Sequence, residues 1–189
     1  MATASDKVFL SDIAFAMNLS TQKRGTGIGQ RSLSFLQAKV EDQLAVIAID
    51  KLTQQWMGFC YLEPWTNLSF IAVSGLIVAP QYRNMGLSRW IKNAALNLSL
   101  NKFPQAIVFS LSSSTAVHAV NKELGYRVIA IEELLNDNDF LFGQQSWVDY
   151  LGIMKNQEMA AHYLAMIYTP KNYILESGSL NSVEMFGVL

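Results

Sequence analysis

The amino-acid sequence predicts one α/β domain with a mixed, twisted, mainly antiparallel sheet of six to seven strands and helices on both faces. Three observations carry this prediction. The chain has 189 residues, a length that suits one domain. Apolar runs in its first half are separated by short polar turns, which is typical of an antiparallel meander. A later segment alternates strand and helix patterns, which favours crossover units with parallel pairing.

Composition excludes several classes of protein. Hydrophobic residues make up 51% of the chain and charged residues 15%, so the chain can bury enough apolar surface to fold. The 14 basic and 15 acidic residues give a net charge of -1, which indicates no nucleic-acid partner. The longest apolar stretch, 70–80, is too short for a membrane span of about 20 residues. With a single cysteine and no visible signal peptide, we expect a cytoplasmic protein without a membrane partner.

The first elements follow in order along the chain. A helix capped by Ser11 is expected to end before Gly25, and a second helix is expected from Ser34 through Val40. Three strands come next, because short aliphatic and aromatic runs alternate with polar turns. Their predicted ranges are 44–49, 56–62 and 68–78.

The middle of the chain changes to a helical period. Apolar residues spaced three and four apart predict an amphipathic helix over 86–100. They are Leu87, Trp90, Ile91, Ala94, Ala95 and Leu98. A strand over 106–111, a helix capped by Ser113 or Ser114 and ended by Gly125, and a strand over 126–131 follow.

The pattern beyond residue 131 is weaker. A charged helix is expected over 132–139 and a strand over 147–154, whereas 162–168 fits either a strand or a helix. We place the domain at 1–170 and a C-terminal tail at 171–189. Apolar residues in that tail raise the hypothesis of a homodimer, which truncation after Pro170 would test.

The junction VAPQYRNMGLSRW, residues 78–90, carries the clearest chemical signal. A buried strand ends at Pro80, and a short polar turn leads into a helix at Gly86. Amide groups in such a turn and first helical turn lack intrahelical acceptors and face the positive end of the helix dipole. Together with the guanidinium of Arg83 they predict a phosphate or pyrophosphate site. An ordinary strand-to-helix connection is the alternative, since most helix N-termini bind nothing.

The context of this junction resembles the GNAT superfamily of acetyl-CoA-dependent N-acyltransferases. The pattern Arg83-x-x-Gly86-x-Ser88 follows a strand and precedes an amphipathic helix, the strand AIVFS and a helix ending in Leu124-Gly125-Tyr126. The resemblance covers residues 76–128, and the order of elements agrees from about 7 to 151. The stretches KRGTGI, GFCYLEPW and SGLIVAP are also similar to one bacterial branch of the superfamily.

The resemblance implies acetyl-CoA as cosubstrate and transfer of its acetyl group to an amine of a small molecule or peptide, by direct attack in a ternary complex. It implies a thioester in a gap between two splayed parallel strands, here 68–78 and 106–111. The backbone of Ile77 and Val78 would hold pantetheine, and a backbone N–H near Val78 would stabilise the oxyanion. The pyrophosphate would be held by Arg83, Asn84, Met85, Gly86, Leu87 and Ser88.

The catalytic residues depart from the family pattern. Asn121 occupies the position of a tyrosine that protonates the leaving thiolate, and an asparagine can donate a hydrogen bond on the thiol side but is no useful acid. The strand SGLIVAP lacks the family's glutamate. Glu63 is a candidate base acting through water, although an exposed carboxylate at a strand end is the favoured interpretation.

The remaining candidate site residues also have ordinary structural interpretations. Lys23, Arg24 and Arg31 flank the loop RGTGIGQ and are candidates for binding a carboxylate or phosphate of the acceptor, or are simply solvated. Cys60 is interpreted as a small buried residue and His118 as a histidine on a helix surface. The sequence shows no spacing of metal ligands. Two hypotheses therefore stand, an N-acetyltransferase and a non-catalytic acyl-CoA-binding module of the same fold.

Overall fold

The computed structural model of the chain describes residues 1–24, 30–143 and 162–171. Short 3₁₀ helices occupy Ala4–Phe9 and Pro80–Tyr82. The α-helices are α1 (Leu10–Arg24), α2 (Leu33–Glu41), α3 (Leu87–Lys102), α4 (Thr115–Glu123), α5 (Ile131–Leu135) and α6 (Asn138–Gly143). The strands are β1 (Ala45–Ile49), β2 (Trp56–Pro64), β3 (Phe70–Val78), β4 (Ile107–Ser112), β5 (Arg127–Val128) and β6 (Leu164–Tyr168).

These strands form one six-stranded sheet in the order β1-β2-β3-β4-β6-β5. Only β3 and β4 pair in parallel, and the other neighbours are antiparallel. The predicted mixed, mainly antiparallel sheet is therefore confirmed. Within the segment 162–168, residues Leu164–Tyr168 form the strand β6, which lies between β4 and β5 in the sheet. The strand expected over 147–154 and the tail after Lys171 lie outside the described residues.

Helices cover both faces of the sheet, as predicted. On one face, here called the α3 face, Ile91, Ala95 and Leu98 of α3 pack against Cys60, Leu62, Ile71, Val73 and Val108 of the strands. On the opposite face, here called the α2 face, α1 and α2 pack over one half of the sheet and α5 and α6 over the other. No helix within the described ranges is long and apolar enough to cross a membrane.

Helix ends explain where the elements begin and where two predictions are wrong. Ser114 caps α4, its Oγ accepting from Val117 N at 3.4 Å, and Gly125 has the expected left-handed backbone with φ 90°. Ser11 is not a cap, because α1 begins at Leu10 and continues directly from a 3₁₀ helix that starts after Thr3. The charged segment 132–139 is split between α5 and α6.

The buried stripe of α3 differs from the predicted one. Trp90 is 73% exposed, although the period placed it on the apolar side. The helix instead turns Lys92 and Ser99 inward together with Ile91, Ala95 and Leu96. The buried stripe of α3 therefore includes Lys92, whose Nζ lies 3.4 Å from Ser110 Oγ of β4, so a lysine lies in the core.

Candidate functional site

The parallel pairing of β3 and β4 is short. It joins residues 70–72 of β3 to residues 107–109 of β4 and ends at Ala72 and Phe109. Both strands continue beyond this point, to Val78 and Ser112 respectively. The two strands therefore separate and leave a gap, here called the wedge, whose vertex is the pair Ala72 and Phe109. The sequence comparison with the GNAT superfamily predicted such a splay at these two strands.

A β-bulge lies in β3 along the wedge. Phe59 pairs with Ile77 but Tyr61 pairs with Ser74, so β3 holds one residue more than β2 in this interval. The extra residue is accommodated at Gly75, whose φ of 66° favours glycine. A Cβ at this position would lie 2.8 Å from Tyr61 Cδ1. The bulge bends β3 and therefore helps to separate it from β4.

The turn that follows β3 is built from exposed backbone. Asn84 and Gly86 have positive φ values of 62° and 74°, and α3 begins at Leu87 without a side-chain cap. The Arg83 amide donates to Pro80 O at 3.4 Å, and the next amide with a backbone acceptor is that of Arg89, which donates to Gly86 O at 3.1 Å. The amides of residues 84–88 have no acceptor within the described part of the chain. With Arg83 they form what we call the amide turn, at the positive end of the α3 dipole.

Space and charge at the amide turn suit an anion. A Cβ placed on Gly86 would meet no atom within 4 Å, so the front of the turn is open. Arg83 is exposed, and its Nε donates to Val78 O at 3.2 Å. That hydrogen bond anchors the guanidinium beside the end of β3 and leaves its terminal nitrogens available. An anion would meet five amides and one fixed positive charge.

A buried polar cluster lies on the α3 face beside the vertex, and sequence reasoning missed most of it. Asn121 of α4 donates from Nδ2 to Ser110 Oγ at 3.1 Å, and Lys92 of α3 donates from Nζ to the same oxygen at 3.4 Å. All three side chains are at most 3% exposed. Of the three, only Asn121 was predicted as a site residue. The available signal for Lys92 was its position three and four residues before Ala95 and Leu96, on the apolar side of α3.

Burial dominates the electrostatics of this cluster. It lowers the pKa of Lys92 to about 8, and the neighbouring thiol of Cys60 counteracts this effect. Burial also raises the pKa of the Cys60 thiol to about 12. Cys60 is therefore a protonated core residue, as the sequence indicated, and its Sγ lies 4.0 Å from Ile91 O.

Glu63 lies on the α2 face, and the expectation of an exposed strand end is wrong. The residue is 3% exposed and pairs with Ala72, directly beside the vertex. Glu63 and Tyr61 are two residues apart on β2, so both side chains lie on the α2 face. Burial lowers the pKa of Lys39 there, and the nearby charge of Glu63 partly offsets this effect. Glu63 and Asn121 thus occupy opposite faces of the sheet.

The basic residues predicted near the acceptor separate in the structure. Arg31 is 6% exposed, its Nε donates to the Tyr61 hydroxyl at 2.6 Å, and its guanidinium carbon lies 5.4 Å from the centre of the Phe35 ring. It is therefore a packed residue instead of a solvated one. Lys23 is exposed near the end of α1. The side chain of Arg24 and the loop 25–29 lie outside the described residues.

The two histidines occupy ordinary structural positions. The sequence favoured such a position for His118 and assigned no partner to His162. His118 is partly buried on α4, and its Nε2 is 2.6 Å from Ser112 O. His162 is exposed in a turn before β6. The aromatic residues Phe59, Tyr61 and Trp65 are fully buried in the core, whereas Trp56 is only partly buried.

Comparison with known proteins identifies the fold. No protein-family model and no curated protein matches the chain. Among solved structures, Rv2747 from Mycobacterium tuberculosis, in complex with CoA and NLQ, superposes with a TM-score of 0.62 at 16% identity, covering 86% of this chain and 95% of that one.

Two further solved structures have a similar fold. N-acetylglutamate synthase from Neisseria gonorrhoeae, complexed with coenzyme A and N-acetyl-glutamate, gives a TM-score of 0.61 at 16% identity over 85% of this chain and 32% of that one. Ribosomal-protein-alanine N-acetyltransferase from Brucella melitensis gives 0.55 at 13% identity over 66% of this chain and 82% of that one. The chain therefore has the fold of the GNAT acetyltransferases.

Proposed function

We propose that this protein transfers an acetyl group from acetyl-CoA to an amine of a small molecule or peptide, by direct attack in a ternary complex. The observation that carries the proposal is the continuity of the wedge with the amide turn. β3 borders the wedge along its whole open length and then leads, through the 3₁₀ helix, into five amides that find no acceptor among the described residues. An extended ligand with an anionic group at one end fits this arrangement.

The amide turn would hold the pyrophosphate. Asn84, Met85, Gly86, Leu87 and Ser88 would each offer an N–H, and Arg83 would supply charge. Ser88 stands where the family pattern has glycine or alanine, but its N–H is retained. Gly86 lacks a side chain that would cover the open front of the turn.

The unpaired edge of β3 would hold the pantetheine arm. Ile77 and Val78 pair with β2 on one side, while on the side toward β4 no strand of the described residues pairs with β3 after Ala72. Their backbone groups can therefore bond an extended amide-containing chain.

The acceptor would approach from the α2 face. Glu63 lies on this face and pairs with Ala72 of the vertex. As a base, it would take a proton from the attacking amine through water. Lys23 and Arg24 would contact an acidic group of the acceptor. The neighbour bound to coenzyme A and N-acetyl-glutamate supports a small-molecule acceptor.

Calorimetric measurement of CoA binding tests the CoA site, which the enzyme and the non-catalytic binding module would share. We expect the double variant Arg83→Ala with Gly86→Glu to lose most of the CoA affinity, because it removes a cation and places a carboxylate against the amides. Arg127→Ala, an exposed arginine on β5, is the matched control and should bind CoA as the unaltered chain does. Equal affinity in both variants would refute the site.

A second candidate function is a non-catalytic acyl-CoA-binding module. Asn121 favours it, since a buried amide stands where an ionisable residue would assist the leaving thiolate. Acetyl-CoA and a panel of amines distinguish the two candidates. Acceptor-dependent release of free thiol would establish transfer, whereas tight CoA binding without any release would favour the binding module.

We further propose that the domain spans 1–170 and that the tail from 171 to 189 contributes to a homodimer. The apolar residues Val183, Met185, Phe186, Val188 and Leu189 support this proposal. Truncation after Pro170 should lower the mass in solution, as measured by light scattering. A full-length chain that is already monomeric would refute it.

A further inference from the structure

Lys92 is the least expected buried residue in the described structure. It is 1% exposed, and no carboxylate within the described ranges forms an ion pair with it. Its Nζ lies 3.4 Å from Ser110 Oγ and 5.4 Å from the centre of the Tyr126 ring. Burying an ammonium group with only a hydroxyl and an aromatic face as partners is costly, so stability alone does not account for this lysine.

Ser110 is the centre of the cluster. Its Oγ accepts from Lys92 Nζ and from Asn121 Nδ2, and both of these groups are donors. With two donors aimed at its oxygen, Ser110 has its own proton left to donate. Asn121 Oδ1 is buried without a hydrogen-bond partner in the described structure, which marks the cluster as incomplete.

The position of Ser110 relates the cluster to the wedge. Phe109 is the last residue of β4 that pairs with β3, and Ser110 is the next residue, on the α3 face. Val73, beside the vertex, and Val78, beside the amide turn, are five positions apart on β3, which corresponds to about 17 Å of extended chain. The cluster and the amide turn therefore lie at opposite ends of the wedge.

We propose that Ser110 donates a proton to the departing sulfur of acetyl-CoA and that Lys92, held with Asn121 on the same oxygen, restores that proton. This inference rests on the proposed acetyl transfer. Ser110 would be the catalytic residue because it contacts the sulfur. Lys92 and Asn121 would be positioning residues because they act through Ser110.

The step balances as follows. The amine nitrogen forms a bond to the thioester carbonyl carbon, and the carbon–sulfur bond breaks with its electron pair on sulfur. Ser110 Oγ–H gives its proton to the sulfur while Lys92 Nζ gives a proton to Ser110 Oγ. Lys92 is left as a neutral amine and takes a proton from solvent, and the acceptor nitrogen loses its proton through water to Glu63. The products are an amide and the free thiol of CoA.

The titration of the cluster agrees with this role. A pKa of about 8 lets Lys92 give up and regain a proton near neutral pH. The titratable groups that face it are Cys60 from β2 and Tyr126 after α4, and burial raises the pKa of both. Both therefore keep their protons near neutral pH, and Lys92 is the group of this cluster that exchanges one.

Binding of CoA and of desulfo-CoA to the full-length protein tests the inference without knowledge of the acceptor. We expect the unaltered chain to prefer CoA by roughly tenfold or more, since a charge-assisted contact to sulfur is lost in desulfo-CoA. Ser110→Ala and Lys92→Met should each reduce this preference to about twofold or less. Ser99→Ala, which alters a buried serine on the same side of α3, is the matched control and should retain the preference.

The thiolate absorption of bound CoA gives a second readout. A nearby ammonium should lower the pKa of the bound thiol by about one unit or more, and Lys92→Met should remove that shift. An unchanged preference in Ser110→Ala and Lys92→Met, with CoA still bound, would overturn the inference while the proposed function stands. Failure of the unaltered chain to bind CoA would overturn both. Because the two variants are judged separately, misfolding of one leaves the other decisive.

Discussion

The two ends of the wedge are built in opposite ways. The amide turn presents backbone N–H groups and lies largely at the surface, whereas the cluster at the vertex consists of buried side chains from α3, β4 and α4. A site made of backbone depends on one permissive glycine and the start of a helix. A site made of side chains depends on how three distant segments pack. The difference predicts that substitutions at the two ends act on different properties.

The largest loss of stability is expected for Gly75, the glycine in the β-bulge of β3. Gly75→Ala should lower the free energy of unfolding by about 2–5 kcal/mol, because a Cβ would press against the Tyr61 ring and the residue would be strained at positive φ. Gly86→Ala shares the positive φ but has open space, so about 1–2 kcal/mol is expected. Urea denaturation followed by circular dichroism measures both. Equal losses would contradict the comparison.

The next largest expected effect is a gain of stability. Lys92→Met should raise the free energy of unfolding by roughly 2–3 kcal/mol at pH 7, because burial lowers the pKa of Lys92 from 10.5 to about 8 and the charged form therefore opposes folding. Lys122→Met, at an exposed position of α4, is the control and should change stability by less than about 0.5 kcal/mol.

The same lysine gives a pH dependence with a defined sign. Between pH 8 and pH 10.5 the unfolded chain keeps the Lys92 proton and the folded chain has lost it, so this group makes stability rise with pH. Cys60 acts in the opposite direction above pH 9, because its thiol stays protonated in the folded chain up to about pH 12. The rise should therefore be visible from pH 8 to pH 9 and absent in Lys92→Met. A variant no more stable than the original chain would contradict both statements.

What the sequence predicted follows the same division. The strand-to-helix turn with Gly86, a cap at Ser113 or Ser114 and the left-handed Gly125 were predicted, because each depends on neighbours within a few residues, and the structure places the cap at Ser114. The burial of Lys92 and Glu63 was not, since it results from contacts between residues far apart in the chain.

The place of β6 between β4 and β5 also escaped prediction. The pairing of β6 joins residues more than 35 positions apart, and no local pattern specifies it. A helical period likewise fixed the extent of α3 but not the rotation that exposes Trp90 and buries Lys92. Local sequence patterns therefore predicted the amide turn, the proposed anion site, whereas tertiary packing determined the vertex cluster.

A smaller effect is expected at the cap of the helix that carries Asn121. Ser114→Ala should lower the free energy of unfolding by about 1 kcal/mol, because Ser114 Oγ accepts from Val117 N at the start of α4. Ser113→Ala, at the neighbouring exposed position outside the helix, should cost less than about 0.5 kcal/mol. Thermal denaturation of the pair measures the difference. Similar melting temperatures would show that the cap contributes nothing to α4.

The smallest effect is expected where α3 and α4 meet at the surface. Arg89 Nε lies 3.2 Å from Glu123 Oε2, and the two side chains are 63% and 52% exposed. Water and salt screen such a pair, so a double-mutant cycle with Arg89→Gln and Glu123→Gln should give a coupling energy of about 0.5 kcal/mol or less. High salt should abolish even that. A coupling of 2 kcal/mol or more would mean that the surface pair, in addition to the buried cluster of Lys92, Ser110 and Asn121, fixes α4 against α3.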